Sequence, residues 1–195
     1  MNLVIPNNGV GLYLNVVNGT TFSSLGFLPA AGEPGFNYDL NIYGGQTTSV
    51  GFTFWTPQLQ GQSSQVPVTS RGYALTPGSI DVANLAPGTL IGSSSAFNVG
   101  AAASGVALGT GTPAYFGFRF RDEGADLGSE TDDTVHYGFA QVILAPGQPG
   151  TLVRYVYEST PLAPITVTAS PVPEPATMAI LGLGAAALLR RRRSA

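Results

Sequence analysis

Apolar and polar residues alternate along several stretches of this chain, and the clearest is Ala114-Tyr-Phe-Gly-Phe-Arg-Phe120. A period of two puts Phe116, Phe118 and Phe120 on one face and Tyr115, Gly117, Arg119 and Arg121 on the other, which predicts a strand. Thr134 to Leu144 predicts a second, longer strand. Pro146-Gly-Gln-Pro-Gly150 turns the chain, and Thr151 to Glu158 runs back. Three antiparallel strands in succession make a meander.

The earlier part of the chain follows the same rule. Gly11 to Val17 predicts a strand closed by Asn18-Gly19, a pair suited to a tight hairpin because both residues tolerate positive φ. Phe36 to Tyr43 predicts another, with Tyr38, Leu40 and Ile42 on the buried face and Asp39, Asn41 and Tyr43 on the wet one. Val50 to Trp55 has the same period. Between Thr56 and Pro113 the signal weakens. Short apolar pieces near Tyr73–Leu75, Thr89–Ile91 and Gly105–Leu108 predict edge strands separated by long loops. Ile165 to Thr168 is the last strand. The body shows no helical periodicity beyond one turn, so residues 1–168 predict an all-β domain, an antiparallel β-sandwich of jelly-roll-like form.

The pattern changes abruptly at the tail. Residues 169–175 form a proline-rich linker ending in Pro173-Glu174-Pro175, and residues 176–195 hold an apolar run followed by Arg190, Arg191, Arg192 and Arg193. Prolines lack an N–H and clash with a preceding helical turn, so a helix starts only near Ala176 and reaches Leu189. Fourteen residues span roughly 21 Å, short of the ~30 Å hydrocarbon core. The arginines offset this, since cationic residues beside an apolar helix mark the cytoplasmic side and snorkel to the interface. The expectation is a short C-terminal transmembrane helix with Arg190 to Arg193 as its cytoplasmic anchor.

Pro-Glu-Pro, a short Gly/Ala/Leu helix and an arginine run, in that order at the C-terminus, resemble the PEP-CTERM sorting signal of Gram-negative bacteria. The resemblance covers about the last 24 residues. It implies an exported protein held transiently in the inner membrane. It also implies that an exosortase-type membrane peptidase, a cysteine transpeptidase-like enzyme, reads the tail and cuts near Pro173, Glu174 and Pro175. An ordinary tail anchor is the plainer alternative.

A second resemblance lies in the body. Phe116-Gly-Phe-Arg-Phe120, His136-Tyr-Gly-Phe139 and Arg154-Tyr-Val-Tyr-Glu158 are similar, in order, to three strands of many surface proteins with this tail. Phe139 replaces a usual tryptophan, and Ser159 a usual acid. The resemblance implies a shared β domain and no particular activity.

Composition narrows the function. The chain has 195 residues, 44% hydrophobic and 10% charged, and no lysine. Residues 1–172 hold four arginines against ten acids, a net charge of −6. An acidic, lysine-free body excludes nucleic acid as the expected partner, because phosphate binding needs positive surface. The absence of cysteine excludes disulfides and thiolate chemistry. The stretch Met1 to Asn8 has neither the basic nor the apolar region of a signal peptide. An exported protein needs one, so the chain is expected to be truncated or to begin at a misassigned methionine. Secretion without a signal is the weaker alternative.

Few residues invite chemistry. His136 is the only histidine, and no Gly-x-Ser-x-Gly elbow accompanies it. It shares a strand face with Thr134, Gly138 and Ala140 and reads as a hydrogen-bonded structural group. Residues 122–133 hold six carboxylates. Asp122, Asp126, Glu130, Asp132 and Asp133 are hard oxygen donors that suit calcium, but their spacing matches no EF-hand, so a solvated loop is the leading reading and no cofactor is expected. A glycosidase needs two facing carboxylates, and no pattern marks such a pair. Tyr13, Tyr43, Trp55, Tyr73 and Tyr115 either pack in the core or form a sugar-stacking platform, and packing is the leading reading. The expectation is therefore a non-enzymatic protein of the cell surface or extracellular matrix, with a carbohydrate-binding module for exopolysaccharide as the alternative and a secreted glycan-active enzyme as the third.

Overall fold

The computed structural model describes residues 1–23, 38–44, 52–55, 71–98, 103–122, 133–145 and 147–169. The Pro-Glu-Pro motif, the expected membrane helix and Arg190 to Arg193 lie outside the described residues, as do Asp126, Glu130 and Asp132. Among the described residues no helix is long and apolar enough to cross a membrane.

The fold is all-β with antiparallel sheets. Its strands in chain order are β1 (Leu3–Ile5), β2 (Leu12–Leu14), β3 (Thr21–Phe22), β4 (Leu40–Gly44), β5 (Phe52–Trp55), β6 (Gly72–Tyr73), β7 (Leu90–Ile91), β8 (Ala103–Ser104), β9 (Pro113–Asp122), β10 (Thr134–Ile143), β11 (Gly150–Tyr157) and β12 (Ile165–Thr166). Sheet A has the order β1-β11-β10-β9-β6 and sheet B the order β3-β2-β4-β5-β8, while β12 pairs with β7 alone.

The meander β9-β10-β11 forms as its alternation predicts. Phe116, Phe118 and Phe120 are fully buried, and sheet A contributes Ala140, Val142 and Leu152 beside them. Sheet B turns Leu12, Leu14, Leu40, Ile42, Phe52 and Phe54 toward the same cluster. Phe54 meets Phe116 edge-on with ring centroids 4.9 Å apart, so one continuous core joins the two sheets. Each ring buried this way contributes roughly 1.5–3 kcal/mol, which is the main force holding the sheets together.

Two glycines shape sheet A. On the inner face, a Cβ on Gly138 would lie 2.3 Å from Phe118 Cζ, so the missing side chain is what lets that ring cross β10. On the outer face, a Cβ on Gly117 would lie 2.9 Å from Ile91 Cδ1. Ile91 belongs to a second, smaller cluster with Tyr137, Phe139 and Val167, against which Leu85, Phe97, Tyr115 and Ile165 pack. The outer face of sheet A is therefore covered in part by the β7/β12 pair.

Several expectations need correction. The face expected to be wet at β4 is wet only at Tyr43: Asn41, and Asp39 just before the strand, are each 1% exposed. Burial is tolerated because the Asp39 carboxylate accepts the Val16 N–H at 2.8 Å and the Asn41 amide donates to the Val10 carbonyl at 3.0 Å. Tyr38 leaves the face of Leu40 and Ile42, since the ladder begins only at Leu40 and its ring packs on Tyr13 instead. The piece at Gly105–Leu108 is a 3-10 turn over Val106–Leu108, and the strand is Ala103–Ser104. β1, which the sequence reading left unassigned, pairs with β11 from Leu3↔Leu152 to Ile5↔Gly150.

Candidate functional site

The outer face of sheet A gathers cations over rings. Arg119 on β9 stacks on Phe97 with its guanidinium carbon 4.5 Å from the ring centroid, and Phe97 in turn stacks on Tyr137 at 5.9 Å. Burial pushes the Arg119 guanidinium below its ordinary pKa, and the neighbouring Tyr137 opposes that. Arg154 on β11 covers Phe139 at 5.4 Å and Tyr115 at 6.0 Å. Its terminal nitrogen also donates to the Thr168 carbonyl at 2.5 Å. Contacts of this kind are worth about 0.5–2 kcal/mol each, and here they hold cations and rings to one another.

The Arg154 contact matters for the tail. Val167 is buried, its N–H donates to the Thr89 carbonyl at 2.9 Å, and its own carbonyl accepts the Gly88 N–H at 2.8 Å. β12, Val167 and Thr168 are thus strapped to the body just before the linker begins.

His136 sits at the inner edge of sheet A, 4% exposed, stacked on Phe120 at 5.5 Å and edge-on to Tyr157 at 6.2 Å. Nδ1 lies 2.8 Å from the Glu158 carbonyl, which can only accept, so Nδ1 carries the proton. Nε2 then accepts from the Thr134 hydroxyl at 2.8 Å. Thr134 and His136 make the contact of a nucleophile–base pair, and the third, orienting group is a main-chain carbonyl and not a carboxylate. Both ring nitrogens are occupied, in agreement with the structural reading.

The acidic segment is flanked by paired strand ends, with Asp122 opposite Thr134 in register. Asp133 forms an ion pair with Arg121, and both side chains are buried. One calcium candidate is thereby neutralised within the fold. Among the described residues no group of three acidic, histidine or cysteine side chains could hold a metal.

The five candidate aromatics separate. Tyr73 is fully buried between Phe54 and Phe116, and Tyr115 lies under Arg154 on sheet A. Tyr13, Tyr43 and Trp55 remain partly exposed on the outer face of sheet B. Registers Phe22↔Tyr13, Tyr13↔Asn41 and Asn41↔Trp55 align four strands, so Phe22, Tyr13, Asn41 and Trp55 form one row. Tyr13 meets Tyr38 at 5.6 Å and Phe22 at 6.4 Å, while Phe22 and Tyr38 are 6.4 Å apart. Burial raises the Tyr13 phenol above its ordinary pKa, and the nearby Tyr43 adds to the effect. Burial raises Tyr38 as well. Sequence reasoning missed Phe22 and Tyr38, although Phe22 follows the loop through Asn18-Gly19 and pairs with Tyr13.

Residues 171–193 match the PEP-CTERM protein-sorting motif. The match identifies the chain as carrying the signal of an exosortase substrate, exported and sorted to the cell envelope or surface. Comparison with curated proteins and with solved structures finds no match.

Proposed function

We propose that this protein is a non-enzymatic component of the bacterial cell surface or extracellular matrix, delivered there by exosortase. The sorting motif at residues 171–193 carries this reading. In it, residues 176–189 cross the inner membrane transiently, Arg190 to Arg193 hold the cytoplasmic end, and the β body, a jelly-roll-like sandwich, is released outward. The body's polar groups support a structural role. Asp39 bonds the Val16 N–H, Asp81 the Ser79 hydroxyl, Asp133 the Arg121 guanidinium, and Glu158 the Thr160 N–H. Each of these four carboxylates is thereby engaged in holding a neighbouring loop or strand end. Fractionation of native cells tests the proposal: the body is expected in the surface or medium fraction, and retention in the cytoplasm would overturn it.

A second reading has its own observation. Partly exposed rings aligned across sheet B suit a carbohydrate-binding module, whose ligand would be a polysaccharide outside the cell.

A further inference from the structure

We propose that the outer face of sheet B is a glycan-binding platform selective for neutral polysaccharide, with Tyr13 and Trp55 as its two stacking rings. The proposal rests on the carbohydrate-binding reading and adds the face, the residues and the charge class of the ligand. Phe22, Tyr13, Asn41 and Trp55 occupy adjacent strands at one register. Three interstrand steps give roughly 14 Å from Phe22 to Trp55, long enough for a short run of sugar rings. Asn41 is buried within the row, so its accessible groups are the rings of Phe22 and Tyr13 on one side and of Trp55 on the other. Pyranoses present C–H faces that stack on aromatic rings and hydroxyls that bond to phenols and amides. Both kinds of partner are present, the rings of Tyr13, Phe22, Tyr38 and Trp55 beside the polar side chains of Tyr43, Thr53 and Ser104.

Charge selects the ligand. β2, β3, β4, β5 and β8 contain no Asp, Glu, Lys, Arg or His. Three of the body's four arginines, Arg119, Arg121 and Arg154, belong to strands of sheet A, and Arg71 immediately precedes its β6. A uronic acid on sheet B would meet no cation within the sheet, and the body's net charge of −6 would repel it. A protein partner fits less well, because none of the large exposed aliphatic residues lies in a strand of sheet B.

Trp55 is the only tryptophan in the chain, so its fluorescence reports this face directly. The test is affinity gel electrophoresis of the full chain against hydroxyethylcellulose, galactomannan, amylopectin and dextran, with polygalacturonate as the acidic probe. Trp55 fluorescence is titrated with whichever polymer retards the protein. Retardation by a neutral polymer is expected, with a change in Trp55 emission and weakening of about ten-fold or more in Tyr13→Ala and in Trp55→Ala. Tyr13→Phe keeps the ring and is expected to retain most of the affinity, which separates lost stacking from lost folding. Tyr115→Ala on sheet A is expected to bind normally. Retardation by polygalacturonate alone would overturn the neutral platform and leave the carbohydrate-binding reading standing. No retardation by any polymer would remove both. Loss of binding in Tyr115→Ala but not in Trp55→Ala would move the site to sheet A and overturn the assignment.

Discussion

The hydroxyl of Tyr73, carried by sheet A, accepts the main-chain N–H of Asn41 in sheet B at 3.0 Å. Its own proton points to the carbonyls of Trp55 at 3.1 Å and Asn41 at 3.2 Å. The tyrosine thus crosses the core and ties into the β4/β5 ladder at the register of the aromatic row. A fully buried phenol of this kind fixes the two sheets relative to one another and backs the strands that present Tyr13 and Trp55.

Removing that hydroxyl leaves buried main-chain groups without a partner. Tyr73→Phe is expected to lower stability by about 1–3 kcal/mol, measured by urea unfolding. Burial pushes the Tyr73 phenol far above its ordinary value. The raised pKa contributes stability that is present below the unfolded value of about 10 and lost as pH rises above it. Stability of the native body should therefore fall beyond about pH 10, and that fall should be shallower in Tyr73→Phe. An equal alkaline slope in both proteins would contradict the assignment.

Gly138 is needed for the ring opposite it. Gly138→Ala is expected to cost about 1–3 kcal/mol, because the Phe118 ring and the Val156 carbonyl, 2.8 Å from the added Cβ, must both give way. Phe118→Leu in the same chain should recover part of the loss. Thermal melts of the single and double variants decide whether the two positions couple.

Arg154 is expected to hold the approach to the sorting motif. Arg154→Ala should speed hydrogen exchange at the Val167 amide and expose residues 165–168 to proteolysis. The inner-face amides of β9 and β10 should exchange as before. Protection unchanged at Val167 would mean that the β7 pairing alone holds the strap.

The pairing of Asp133 with Arg121 argues against a calcium loop. Calorimetric titration of the body with calcium is expected to show no tight stoichiometric binding. Arg121→Gln should be markedly destabilising, since it strands a buried carboxylate. Tight binding by the native body would restore the calcium reading.

Processing at the tail is the last expectation. In the native cell, Glu174→Ala or deletion of Arg190 to Arg193 should leave an uncut precursor in the membrane fraction. Mass spectrometry of surface protein should find no peptide containing Leu188 or Leu189. Finding such peptides would reduce the tail to a plain anchor.

The sequence by itself determined the sorting tail, because its signal is a linear order of prolines, apolar residues and arginines. It also determined the β9-β10-β11 meander and marked a bend at Gly19, which has a φ of 72°. The strand expected to reach Val17 stops at Leu14, and residues 15–20 form a longer loop to Thr21 in place of a two-residue hairpin turn. Alternation and turn chemistry are local, and they report one buried face directly. What covers the other face is decided by pairings between distant residues. Only the tertiary structure shows the register shift between Gln141 and Val142, which leaves Val153 over as an extra residue. That shift turns Leu152 inward while Arg154 points out, although strict alternation would put both on one side. Asp39 and Asn41 are polar by type and buried by context, because loop carbonyls and amides reach them from the neighbouring strand. Of the five aromatic candidates, Tyr73 fell to the core and Tyr115 to Arg154, while Tyr13, Tyr43 and Trp55 were left facing outward. The residue types are the same; the partners that fold across them are not, and a single strand cannot record its partners.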